Sequence, residues 1–197
     1  MIRFALPLLL LLSGQAIAQV QGVELDEPVA MPDFAFANSE GRTFTDGDLD
    51  GGWTIVMFGF NSCPDVCPFT LGNLEAAIQE TALRVRPDNV PRVVFVSVDP
   101  DRDAEVVAGY ATHFHPEFLG VTGAREDIDA LVEATDSFYR LMPPGESGYY
   151  DVQHSSAVSV FGPDGKLRAK LQPPFDPGMT AEFLARLQIG YRREATN

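Results

Sequence analysis

Thr54-Ile55-Val56-Met57-Phe58-Gly59-Phe60 runs directly into Asn61-Ser62-Cys63-Pro64-Asp65-Val66-Cys67-Pro68. The first part is a short, continuous apolar run, the pattern of a strand buried on both faces. From residue 68 to residue 86, Leu71, Leu74, Ile78 and Leu83 give an apolar helical face, so the order is strand, loop, helix. Such a connection presents its loop at the carboxyl edge of a sheet, where open α/β sheets place their sites. Both cysteines of the chain stand in that loop, beside a helix N-terminus that lowers thiol pKa values.

Outward from this stretch the elements alternate. Residues 93–98 form a second buried-strand run, and residues 118–121 a short third strand. Residues 103–114 read as a helix opened by an Asp cap, and residues 125–139 as a helix carrying Ile128, Leu131, Val132 and Thr135. Upstream, residues 34–36 and 42–44 flank Asn38-Ser39-Glu40-Gly41 as a small hairpin. Downstream the pattern changes. Pro143-Pro144-Gly145-Glu146-Ser147-Gly148 predicts a loop or hairpin tip. Residues 157–161 and 167–171 flank the turn sequence Gly162-Pro163-Asp164-Gly165, and residues 180–187 read as a closing helix. A βαβ unit followed by a β-hairpin and a last helix is the thioredoxin-like arrangement. The expected fold is therefore α/β: a central mixed sheet flanked by helices, with an N-terminal β-hairpin extension.

Residues 1–18 have the form of an export signal, with Arg3 before an apolar core and Ala16-Ile17-Ala18 as the cleavage pattern. The expected organisation is a signal peptide over 1–18 (cleaved, or kept as an inner-membrane anchor), a linker over 19–30, one domain over 31–190 and a tail over 191–197. Export places the cysteines in an oxidising periplasm, where a close pair can persist as a disulfide. The formal net charge is −14. That balance excludes nucleic acid and anionic membrane surfaces as partners. It fits a solvated acidic surface, and it would steer the protein toward a basic patch on a partner. A monomer is the default expectation.

Three chemistries compete for the cysteines. A structural disulfide over so short a loop contributes only about 2 kcal/mol, and a chain of this size does not need it. Dithiol exchange usually employs two intervening residues; here there are three, which gives the sulfurs room to hold one metal ion between them. A third donor, His154, precedes the strand at 157–161, an approach that lies beside the cysteine loop in a thioredoxin-like sheet. Two thiolates and an imidazole form a soft site, with copper(I) ahead of zinc. His113 and His115 form a rival His-x-His pair, but they end a helix, where capping is the ordinary role.

The motif from Gly59 to Pro68 is similar to the signature of the SCO/SenC family of copper-binding, thioredoxin-like proteins. So are Val96-Ser97-Val98-Asp99-Pro100-Asp101-Arg102-Asp103, Leu119-Gly120-Val121-Thr122-Gly123 and Phe161-Gly162-Pro163-Asp164-Gly165-Lys166-Leu167. The resemblance implies copper handling during assembly of the CuA centre of cytochrome c oxidase, with copper(I) the leading state and copper(II) left open beside it. It makes Cys63 and Cys67 the thiol ligands and redox-active pair, and His154 the third ligand. The implied partners are the oxidase subunit carrying CuA, other copper carriers and thioredoxin-like reductants. Two departures stand out: Gln153 where members often have Asp, and Asn61-Ser62 where many have Thr-His. Whether Asp151, three positions upstream, substitutes as the histidine's orienting partner is left open by the sequence. Arg102 is expected to pair with a neighbouring carboxylate in a local structural role. The alternative to a metallochaperone is a metal-independent thiol–disulfide oxidoreductase acting on a partner's cysteines. A peroxidase comes third, and the Thr-x-x-Cys context it needs is absent.

Overall fold

The computed structural model describes residues 21–196. The export segment expected over residues 1–18 lies outside the described residues. Among the described residues, no helix is long and apolar enough to cross a membrane. The strands are Gly22–Val29 (β1), Ala35–Ala37 (β2), Thr43–Thr45 (β3), Thr54–Gly59 (β4), Arg92–Ser97 (β5), Leu119–Gly123 (β6), Tyr139–Leu141 (β7), Val152–His154 (β8), Val158–Phe161 (β9) and Leu167–Leu171 (β10). The helices are Val66–Ala82 (α1), Pro100–Asp103 (α2), Val107–Phe114 (α3), Arg125–Ala134 (α4) and Pro177–Glu194 (α5).

Eight strands form one sheet in the order β1-β10-β9-β4-β5-β6-β2-β3, with β4, β5 and β6 parallel and the other pairings antiparallel. β7 and β8 form a separate antiparallel hairpin. Alternation along the central strands explains their unbroken apolar character. Ile55, Met57, Val93 and Phe95 face one core with Leu71 and Leu74 of α1, Val107 of α3 and Leu184 of α5. Val56, Phe58, Val94 and Val96 face a second core with Ile128 and Leu131 of α4 and with Phe36 and Phe44 of the N-terminal hairpin. Both faces of the sheet are covered, so neither set of side chains can be polar. This is the thioredoxin-like mixed sheet, and the hairpin extension joins it through pairing of β2 with β6.

Several boundaries differ from the sequence reading. The stretch expected as a linker contains β1, which pairs with β10, so the sheet begins at Gly22. Its side chains are mostly exposed because it is an edge strand, and Glu24, Asp26 and Glu27 hide it from an apolar-run search. The helix expected over 103–114 is broken into α2 and α3. It starts at Pro100, and the Asp103 carboxylate is buried rather than capping. α4 stops at Ala134 because Asp136 turns into a positive φ of 48°, and Lys170 donates to the Thr135 carbonyl at the helix end. α5 is longer than expected: Asp176 caps its start by accepting from the Met179 amide, and it extends into the expected tail as far as Glu194.

Candidate metal centre

β4 ends in the sheet, the chain turns through residues 60–65, and α1 starts at Val66. Cys67 therefore sits in the first turn of α1, with its side chain fully buried. Cys63 precedes the helix and is half-buried. The Cys67 amide donates to the Cys63 sulfur at 3.4 Å, so this sulfur stands where an N-cap oxygen usually does. Both cysteines are free thiols. Their acidities are split. Cys63 is lowered to about 5, first by a hydrogen bond from the Cys67 side chain and then by the backbone N–H groups of Cys67 and Asp65, against the opposing effect of burial. Cys67 is raised, first by the same pairing and then by its own burial. At neutral pH the pair is one thiolate and one thiol, with the negative charge on the accessible sulfur.

His154 comes from the far side of the chain at the end of β8, paired with Tyr139 of β7. Its Nε2 lies 3.4 Å from the Cys67 sulfur, and its Nδ1 lies 2.9 Å from the Ser155 carbonyl oxygen. A carbonyl only accepts, so Nδ1 carries a proton, and in the neutral ring the Nε2 lone pair faces the sulfurs. This is the tautomer a metal ligand needs. The ring also packs edge-on against Phe60, at 5.9 Å between centroids and 84°. Cys63, Cys67 and His154 bring their three donor atoms within 4.8 Å of one another. A groove of about 450 Å³ opens beside them, bounded by Cys63, Pro64, Val66, Phe138, Val152 and His154.

The other sequence candidates lie elsewhere. His115 accepts from the Glu117 amide at 3.1 Å, a turn-forming role at the end of α3, and His113 is exposed. Neither belongs to a group of three metal-type donors among the described residues. Asp151 is exposed and accepts from the adjacent Val152 amide, so it does not orient His154; the Ser155 carbonyl does. Two supporting residues escaped the sequence reading. A side chain on Gly59 would place a Cβ 2.7 Å from the Cys67 sulfur and 2.6 Å from the Phe95 ring, so only glycine leaves room for that thiol. Asp103 fixes the start of the cysteine loop by accepting from the Asn61 amide at 2.7 Å and the Ser97 hydroxyl at 2.6 Å. The glycine signal was present in the motif; the Asp103 contact spans too much sequence to be read there.

A family model described as SCO1/SenC matches residues 23–188. The chain belongs to this family. This SCO1/SenC chain is 35% identical over 173 residues to the human protein described as "Protein SCO1 homolog, mitochondrial", covering 87% of this chain and 57% of that protein. It spans about half the length of several curated relatives that it matches. Among solved structures it resembles Arabidopsis thaliana ScoI with copper bound, with a TM-score of 0.74 and 29% identity over 82% of this chain and 99% of that one. It also resembles apo Sco1 from Thermus thermophilus, with a TM-score of 0.71 and 32% identity over 88% and 98% of the respective chains.

Proposed function

We propose that this SCO1/SenC chain is a copper metallochaperone that holds one copper ion between the Cys63 and Cys67 thiolates and the His154 imidazole. The observation that carries this reading is the meeting of the three donors within 4.8 Å, with the bare nitrogen of His154 on the sulfur side. Soft thiolates suit copper(I) and zinc alike, but a structural zinc site takes four ligands, so this three-donor set fits copper(I) better than structural zinc. The same nitrogen and sulfur donors also serve copper(II). The copper in the related Arabidopsis structure supports this assignment. Loading needs the reduced pair, because a disulfide has no thiolate to offer.

Copper is cargo in this reading, and its recipient is the oxidase subunit that carries CuA; other copper carriers and thioredoxin-like reductants act upstream. Residues 1–18 export the chain to the periplasm, where it works as a monomer. Val66, Phe69, Phe138 and Tyr149 stay exposed on the elements that border the site, which supports docking of a protein there. The test is an anaerobic copper(I) titration of the reduced protein against a competing chelator, with His154→Ala alongside. One copper per chain is expected, weakened in the variant by at least the roughly 10- to 100-fold that losing a ligand's supporting hydrogen-bond partner costs. No tight binding, or binding indifferent to His154, overturns the three-donor site.

A second reading is favoured by the acidity split between the cysteines. The accessible Cys63 thiolate attacks one sulfur of a partner disulfide, forming a mixed disulfide and releasing one partner thiolate. Cys67, losing its proton, then attacks the Cys63 sulfur. The products are a Cys63–Cys67 disulfide and a fully reduced partner, with two electrons supplied by the dithiol. In that case Cys67→Ser traps the mixed disulfide at Cys63, and His154→Ala leaves exchange intact.

A further inference from the structure

Arg102 was expected to serve only its own turn. Its Nε does pair with Asp99, three residues upstream. The rest of the guanidinium reaches the hairpin that carries His154. Nη1 donates to the Tyr150 carbonyl oxygen at 2.9 Å, and the guanidinium carbon lies 3.9 Å from the centre of the Tyr150 ring. The rings of Tyr149 and Phe60 stand 5.5 and 5.6 Å away, completing an aromatic cage. Asp99 is fully buried, and its second oxygen accepts from the Tyr150 hydroxyl at 3.0 Å. One guanidinium thus joins the turn after β5, the residue after β4, and the segment leading into β8.

That segment needs an anchor. β7 and β8 are not hydrogen-bonded to the eight-stranded sheet, and an isolated two-stranded hairpin is marginal in water. Val152 gives it a buried foothold in the second core, and the Tyr149 hydroxyl donates to the Ser62 carbonyl at 3.4 Å. The Arg102 contacts, at Tyr149 and Tyr150, lie beside these two and only five and four residues upstream of the histidine. Phe60, one wall of the cage, is also the ring against which His154 packs. We propose that Arg102 is a positioning residue for His154: it pins Tyr149 and Tyr150 against Phe60 and so holds the imidazole within reach of the two sulfurs. A lysine cannot replace it, because an ammonium has neither the planar face for Tyr150 nor the fork for Asp99 and the carbonyl together.

The proposal deepens the metallochaperone reading, and its test has one arm that does not depend on copper. In the metal-free protein, the Met142 and Ser155 amides bond across the hairpin to Asp151 and Phe138 carbonyls. Arg102→Lys should speed their hydrogen exchange by about tenfold through local opening, and leave the β4–β5 ladder unchanged. Unchanged hairpin exchange, or a uniform rise across the domain, overturns the proposal. In the copper arm, Arg102→Lys should weaken copper(I) binding by about tenfold, and should add nothing once His154→Ala is present. Additive losses would make Arg102 a general stabiliser and sink the idea. If Arg102→Lys does not fold, Tyr150→Phe replaces it in both arms, since it frees one Asp99 oxygen and keeps the ring. A wild-type chain without copper affinity overturns the metallochaperone reading and leaves the exchange arm to decide the role of Arg102.

Discussion

At the scale of single residues, the two thiols are chemically unequal although they share one motif. Cys63 is lowered to about 5 because Cys67 donates to it, and Cys67 is raised because it keeps the proton. The signs fix the pH behaviour. Above about pH 5 Cys63 is already a thiolate, so metal uptake near neutrality has to displace the Cys67 proton; below that pH Cys63 is protonated too. Copper affinity should therefore fall with acidification, and fall more steeply below about pH 5. Cys67→Ala removes the main cause of the shift, so Cys63 should titrate upward toward its ordinary value of 9.0. Thiolate ultraviolet absorbance against pH reads this directly. A Cys63 that stays near 5 in that variant would assign the shift to the backbone N–H groups of the helix N-terminus instead.

At the scale of elements, the site depends on how closely α1 is allowed to approach β4. Gly59 permits that approach at the sulfur itself. Gly120 permits another far from it: a Cβ there would lie 2.0 Å from the Val107 carbonyl oxygen, where α3 crosses β6. The two substitutions should separate stability from function. Gly120→Ala should cost about 3 kcal/mol or more in denaturant unfolding, since backbone must move, while a folded remnant keeps its copper affinity. Gly59→Ala should cost about 1–3 kcal/mol and also weaken copper binding, because Cys67 or Phe95 must give way. Equal copper affinity in Gly59→Ala and wild type would show that the thiol position has slack. The sequence made the cysteine loop and the strand before it legible because that strand is apolar on both faces. It blurred the helix ends, which rest on side chains folding back: Lys170 onto the Thr135 carbonyl, and Asp176 onto the Met179 amide.

Across the whole molecule, the order of elements was readable because each central strand and helix buries its own regular pattern in one of two cores. β1 was not, since an acidic edge strand carries no such pattern, and neither was the tie from Arg102 to the hairpin, which crosses 48 residues to the Tyr150 carbonyl. The candidate ligand set was legible for a different reason: cysteines and histidines are scarce in this chain, and the fold brings Cys63, Cys67 and His154 to one edge. The two cores also bear on what the cysteine pair is for. Neither core needs the bond, so closing the disulfide should change unfolding free energy by no more than about 2 kcal/mol. Copper should do more to the reduced protein: free metal at a hundred times its dissociation constant adds about 2.7 kcal/mol through linkage alone. Denaturant unfolding of the reduced, oxidised and copper-loaded forms compares these contributions on one scale. If the oxidised form gained several kcal/mol while copper added nothing, the pair would be a staple. The expected opposite, a weakly stabilising disulfide beside a strongly stabilising metal, is what a reversible carrier requires, because the bond that blocks loading must remain easy to reduce.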